Sequence, residues 1–276
     1  MIVVTGATGN VGGEVTGALI AAGAPVRAVA RAGREDAVPA GATPVIGDLN
    51  EPETLAPAVD GASGLFLLPG YPGIERLLEL ARDGGVRHVV LLSGASAGSG
   101  DQSNAITRYM IASERAVRES GLAWTILRPS MFATNSLEWV NALREGDVVT
   151  APFADIRAAV IDPADIGAVA AHALTTDGHA GQTYRLTGPE ALTPADRLAV
   201  LADLLGRDLT LRSRPNDEAR VVMEAALPQE YVDAFFDFYV AGNLDESPVL
   251  PTVPDLLGRP ARTFRDWATA HLDAFR

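Results

Sequence analysis

The chain has 276 residues, 47% of them hydrophobic, no cysteine and a formal net charge of −13. That length and composition suit one α/β domain with a small appended lobe, or two small domains. They exclude a disordered chain, disulfides, thiol catalysis and thiolate metal ligands. The negative field repels nucleic acid and anionic membrane surfaces, and no apolar run approaches the ~20 residues of a membrane span. The first strand begins at Ile2, leaving no room before it for a signal peptide, so a cytoplasmic location is expected.

Residues 2–5 read as a buried strand running at once into glycines. Apolar residues at Val11, Val15 and Leu19, four apart and followed by Gly23, predict a helix over 10–22. Further strands are predicted over 25–30, 43–46, 64–68, 88–92 and 123–127, with helices over 55–59, 74–82 and 103–120 among them. Continuous apolar strands alternating with helices mean a parallel sheet covered on both faces and joined by right-handed crossovers. The fold class expected is therefore α/β, a Rossmann-type doubly wound parallel sheet built by residues 1–150. Beyond Pro129 the pattern loosens. Helices are predicted over 133–144, 163–174, 194–205, 229–241 and 263–275, and strands over 158–161, 182–186 and 209–212. These should form a small C-terminal α/β lobe, residues 151–276, interleaved with the main sheet and lying over the carboxyl ends of its strands.

The strongest local signal is Thr5-Gly6-Ala7-Thr8-Gly9-Asn10-Val11-Gly12-Gly13, set between a strand and a helix. Gly6 permits a sharp turn, Gly9 lets main-chain amides approach a diphosphate, and Gly12 allows the helix to pack closely. The helix start offers unpaired amides and a positive dipole end, so Thr8, Asn10 and Val11 join the expected cofactor contacts. In dinucleotide folds the residue ending the second strand reads the ribose. An acid there suits NAD, and an arginine suits the 2′-phosphate of NADP. Arg31 holds that place with Arg34 close by, so NADP(H) is expected in preference to NAD(H), although Glu35 and Asp36 lie nearby. Asp48, after the third strand, either accepts from the adenine or starts an Asx turn. Leu49 beside it and Leu68 at the end of the fourth strand are assigned to the same site.

Ser93 ends the fifth strand, where it either bonds substrate or nicotinamide ribose, or caps the strand. Pro129 ends the sixth strand and either packs on the nicotinamide, with the Phe132 region closing over it, or is ordinary packing. Tyr109 carries an ionisable hydroxyl and is a candidate proton donor, against the alternative of an exposed helix tyrosine. Asp165 reads as a helix-end charge. Tyr231, Phe235, Phe238 and Tyr239 fall on one helix face, as core or as the apolar wall of a substrate pocket. Trp124, Met131 and Trp139 carry the same pair of readings. The four histidines are scattered without metal-ligand spacing, so no metal site is expected. Gly94-Ala95-Ser96-Ala97-Gly98 matches a hydrolase elbow in letters, but the elbow passes directly into a helix and here residues 99–102 intervene.

These residues resemble the NmrA-like group of atypical short-chain dehydrogenase/reductases. The likeness runs through the glycine turn, Arg31, Gly47-Asp48-Leu49, Val89 to Ser93, Glu114, Ser120-Gly121-Leu122, Thr125 to Pro129, Phe132, Asn135 and the segment from Asp162 to Leu174. The resemblance implies one of two activities. The first is NAD(P)H-dependent reduction of a small apolar electrophile of quinone, enone or carbonyl type. The second is non-catalytic NADP binding as a redox sensor that alters a protein partner. Typical short-chain dehydrogenases carry a Tyr-x-x-x-Lys pair, and aligning Glu114 on that pattern puts Ile106 and Met110 in its place. Tyr109 is one residue off and points elsewhere, since helix neighbours diverge by about 100°. Absence of the pair fits the NmrA-like group, and a quinone needs little proton assistance. Ser93 or solvent would then supply protons.

Overall fold

A computed structural model describes residues 1–276. The first half alternates as its apolar runs require: β1 (Ile2–Val4), α1 (Asn10–Ala21), β2 (Val26–Ala30), β3 (Thr43–Ile46), the short α2 (Ala56–Val59), β4 (Gly64–Leu67), α3 (Ile74–Asp83), β5 (His88–Leu92), α4 (Ala105–Glu119) and β6 (Ala123–Pro129). A 3₁₀ segment, Ala133–Trp139, then leads to α5 (Val140–Glu145), β7 (Val148–Ala151), β8 (Ala158–Ala159), α6 (Pro163–Thr175) and β9 (Gln182–Leu186). The chain closes with β10 (Ala191–Leu192), α7 (Pro194–Leu205), β11 (Thr210–Ser213), α8 (Asn216–Glu224), α9 (Gln229–Tyr239), α10 (Thr252–Leu257) and α11 (Phe264–Ala270).

Seven parallel strands form the main sheet in the order β3-β2-β1-β4-β5-β6-β9. The chain moves outward from β1 to β3, then restarts at β4 on the other side of β1. That reversal opens a crevice beyond the carboxyl ends of β1 and β4, the place where such sheets hold ligands. Thr5 ties the two ends together: its Oγ1 donates to the Phe66 carbonyl at 3.0 Å and accepts from the Leu68 amide at 3.1 Å.

Each face of the sheet has its own core. Val15 and Leu19 of α1 pack with Ile166 and Val169 of α6 on one side, and Leu77 and Leu78 of α3 with Val117 of α4 on the other. Each such buried side chain contributes about 1.5–3 kcal/mol. A third core, with Trp139, Leu143, Leu201, Trp267 and Phe275, lies apart from both. It binds the 3₁₀ segment to α5, α7 and α11, while β7 and β11 pair in parallel beside it.

Several expectations change. The strand at 182–186, placed with the later lobe by the sequence, is the edge strand β9 of the main sheet. Its Gln-Thr-Tyr-Arg-Leu run reads as mixed because only Leu186 is buried. Pairing with β9 also carries β6 on to Pro129. The expected helix over 133–144 is a 3₁₀ segment followed by α5, and the strand over 158–161 shrinks to two residues that pair antiparallel with Ala191–Leu192. Asp165 is fully buried, accepting from the Arg262 amide at 2.6 Å, so it anchors the C-terminal segment rather than only tuning a helix end.

α6 lies against α1 so closely that a Cβ on Gly167 would sit 2.7 Å from the Glu14 carbonyl carbon. Gly167→Ala should therefore destabilise by about 1–3 kcal/mol. Gly17→Ala, on an open face of α1 with nothing within 4 Å, should be neutral or stabilising by about 0.5–1 kcal/mol. Urea melts of the two variants check this.

A histidine network joins β5 and β6 to the edge strand β9. His88 Nε2 meets Thr125 Oγ1 at 2.9 Å, Thr125 Oγ1 donates to the His179 carbonyl, and His179 Nδ1 meets the Tyr184 hydroxyl at 2.9 Å. Burial lowers the pKa of both imidazoles; next in effect are the neighbouring His179 for His88 and His172 for His179. The folded state thus binds fewer protons than the unfolded one. The contribution is complete above the ordinary imidazole value of 6.5 and is lost as pH falls below it. The urea midpoint should fall between about pH 7.5 and about pH 5.5, and His88→Asn should flatten that slope. An equal slope in the variant would remove His88 from the account.

Candidate active site

The turn after β1 is shaped by contacts a side chain would break. Gly6 has φ +64°, and a Cβ there would lie 2.4 Å from Leu68 Cδ1. A Cβ on Gly12 would lie 2.1 Å from the Gly6 carbonyl oxygen. The close contact of Gly12 is therefore with the turn itself. The Gly9 amide closes the turn onto the Gly6 carbonyl at 2.9 Å. The amides of Asn10, Val11 and Gly12 have no intramolecular acceptor, and no side chain caps the helix. They form the positive end of α1 and are free for an anion.

A cavity of about 340 Å³ brings together eight of the residues expected at the cofactor site: Gly6, Thr8, Gly9, Arg31, Arg34, Asp48, Leu49 and Leu68. Val29, Gly47, Asn50 and Tyr71 complete it, and these the sequence reading missed. Arg31 and Arg34 are both exposed at this cavity, and neither joins any ion pair. Glu35 and Asp36 do not neutralise them. Asp48 Oδ1 accepts from the amide and the side chain of Asn50, both at 2.9 Å, which is the Asx turn of the two alternatives. Those bonds, with Arg31 nearby, hold its carboxyl below the usual range. Asn10, Val11 and Gly12 are not among its lining residues; they follow Gly9 at the start of α1. Ser93 and Pro129 lie outside it, farther along the carboxyl edge at the ends of β5 and β6.

Ser93 is buried and its hydroxyl donates to Glu114 Oε1 at 2.7 Å. Glu114 is the hub of a cluster: Arg128 Nε and Nη2 bind its two oxygens at 2.8 and 2.7 Å, and Arg118 adds a contact at 2.9 Å. Burial alone would raise this carboxyl, but the Arg128 and Ser93 bonds and the two arginine charges outweigh it and hold the pKa down. Ser93 is thus bonded to a carboxylate that stays ionised. In the sequence Glu114 served only to mark the family resemblance and to locate the Tyr–Lys positions, and it was given no role in the site; its other local sign is its spacing of four from Arg118. Met110 packs on Gly94 and Ile106 lines a small cavity, so the Tyr–Lys positions are apolar in space as well. Every one of the 22 basic residues is arginine, so no lysine elsewhere can take that role.

Tyr109 is half-buried rather than exposed. It packs on Gly70 in a cavity of about 370 Å³, edge-on to Tyr231 at 6.4 Å, and burial followed by Tyr231 raises its pKa. Phe235 and Leu227 line both this cavity and a larger one of about 570 Å³. The loop 68–71 links the series, with Leu68 and Tyr71 on the dinucleotide side and Pro69 and Gly70 on the Tyr109 side.

The larger cavity has apolar walls from Met131, Phe153, Ile156, Met223 and Phe235, with Thr134, Asn135 and Glu138 of the 3₁₀ segment beside them. Phe153 adopts φ 52°, unusual for a bulky residue, and is held by Phe236 and Tyr239 at 5.4 and 5.3 Å. Tyr239 donates to Glu246 at 3.1 Å; burial, then Glu246, pushes its pKa far up. The aromatic face of α9 therefore divides. Phe238 is core, while Tyr231, Phe235 and Tyr239 line cavities. Met131 is a wall, Trp139 is core, and Trp124 is half-buried beneath Arg118. Residues 95–99 form a 3₁₀ turn ending at left-handed Gly100, with α4 starting only at Ala105, so the hydrolase geometry is absent. No helix is long and apolar enough to cross a membrane.

The model of an NAD(P)H-binding family matches residues 6–177. A (4-alkanoyl-5-oxo-2,5-dihydrofuran-3-yl)methyl phosphate reductase of Streptomyces griseus is 40% identical, covering 100% of this chain and 99% of that one. An NAD(P)H azoreductase of Xenophilus azovorans is 36% identical over 100% of this chain and 99% of its own. The crystal structure of an NADPH-dependent quinone oxidoreductase from Escherichia coli superposes with a TM-score of 0.80 at 25% identity, covering 99% and 100% of the two chains. The resemblance to NmrA-like reductases is thereby borne out, and the chain belongs to the NAD(P)H-binding family of Rossmann-type proteins.

Proposed function

We propose that the protein is a cytoplasmic NADPH-dependent reductase of small, mostly apolar electrophiles of quinone, enone or carbonyl type. One observation carries the cofactor half of this reading: two unpaired arginines face the same cavity as Gly6, Thr8 and Gly9 of the turn that leads into the free amides of α1. The residues present fit the group. The amides of Asn10 to Gly12 and the absence of a side chain at Gly9 suit the diphosphate, Arg31 and Arg34 suit a 2′-phosphate, and Leu49 and Leu68 supply apolar contact. Bound there, a reduced nicotinamide supplies hydride. Ser93 and Pro129, at the ends of the neighbouring strands, are assigned to its nicotinamide end.

The substrate side is assigned to the later lobe, residues 151–276, together with the 3₁₀ segment. The walls of the larger cavity exclude water and select apolar acceptors. The names of the relatives support a reductase, since those proteins are named for reduction of an azo compound, a quinone and the phosphate ester of an unsaturated furanone.

The purified protein should oxidise NADPH steadily with at least one member of a panel of quinones and enones. Tight NADPH binding with no turnover of any would instead favour a redox sensor. Arg31→Asp should weaken NADPH by roughly ten- to hundredfold and leave NADH nearly unchanged, as read by fluorescence titration. Equal losses for both cofactors would remove Arg31 from phosphate recognition.

A further inference from the structure

The larger cavity contains one ionisable acid without an ion-pair partner. Glu138 is the only charged side chain among its lining residues, and it forms no ion pair. The surrounding walls are methionine, phenylalanine, isoleucine and proline. The nearest cation, Arg197 of α7, is buried and already engaged: its Nη1 donates to Ser136 Oγ at 2.9 Å and its guanidinium lies 4.8 Å from the Trp139 ring centre. Tyr239 of α9, the other titratable group lining the cavity, is committed to Glu246. Glu138 is exposed on the open side of this cavity, beside its apolar walls. Desolvation by the neighbouring protein raises its pKa against the pull of Arg197 and of the adjacent Trp139 side chain.

We propose that Glu138 is the proton donor of the substrate cavity, delivering from its carboxyl group the proton that completes reduction of a neutral, unsaturated electrophile. This rests on the reductase reading above. Reduction of a C=C or N=N bond takes up one hydride and one proton. The hydride comes from reduced nicotinamide and forms the new C–H or N–H bond as the π bond breaks. The electron pair left on the conjugated acceptor takes the proton from Glu138 Oε, leaving a carboxylate. Solvent entering the open cavity after product release returns the proton. No cation lines the cavity, so the acceptor it favours carries no negative charge. Glu138 also supplies what the chain lacks at the apolar positions Ile106 and Met110.

The dependence on Glu138 differs by substrate. An enone or azo compound leaves a basic site after hydride arrives and needs the acid. A quinone spreads the charge over its oxygens and needs it less. Glu138→Gln should therefore lower kcat by roughly 10²–10⁴-fold with an enone or azo acceptor and by less than about tenfold with a quinone. NADPH affinity and the melting temperature should stay unchanged. The wild-type enone rate should fall as pH rises through the Glu138 pKa; Glu138→Gln should lose that limb and Glu138→Asp should keep it. In the protein without cofactor, infrared difference spectra should show a protonated carboxyl that persists above the ordinary 4.5 and is missing in Glu138→Gln. Unchanged enone rate and pH profile in Glu138→Gln, with normal wild-type turnover, would overturn this proposal alone. No turnover of any acceptor by the wild type would overturn the reductase reading and this assignment with it.

Discussion

The carbonyl oxygen of Gly6 occupies the space in which a side chain at residue 12 would begin. That single steric contact draws the start of α1 down onto the turn, so its first amides open into the crevice instead of bonding to the chain. The crevice itself follows from strand order, because the order in which the parallel strands are added reverses between β1 and β4. Thr5 fixes the relative height of those two strands through its paired bonds to the Phe66 and Leu68 backbone. Tight turn, free amides and crevice are one arrangement, and the cavities farther along the carboxyl edge take their positions from it.

Charge is distributed to match. The molecule is acidic as a whole, yet its two exposed, unpaired arginines at the crevice face the place where an anion would lie. Other arginines near the strand ends are spent on structure. Arg118 and Arg128 both neutralise Glu114, locking α4 to β6. The electrostatic consequence is a cationic mouth beside a cavity whose only charge is an acid, a division suited to an anionic cofactor and a neutral acceptor.

The parts legible in the sequence are those with local causes. β4 and β5 are buried along their length, so their unbroken apolar runs announce a parallel sheet. Each glycine of the turn answers a separate steric demand and can be read one at a time. β9 was misplaced because an edge strand buries one residue in five and loses the apolar signature. The burial of Tyr109 stayed open in the sequence because helical spacing does not tell which neighbour covers a face; Gly70 and Tyr231 come from distant segments. Glu138 was invisible for the same reason. Its surroundings assemble from the segments near residues 131, 153, 194, 223 and 235, and its lack of an ion-pair partner exists only after folding.

The claim beneath all of this is that the turn at residues 6–12 receives a diphosphate. Amide NMR of the isotopically labelled protein titrated with NADPH reads it directly. The account predicts the largest shifts at Gly9 to Gly12, with Arg31 and Arg34 moving at the same ligand concentrations. Saturation that leaves those amides in place while shifting signals elsewhere would contradict it.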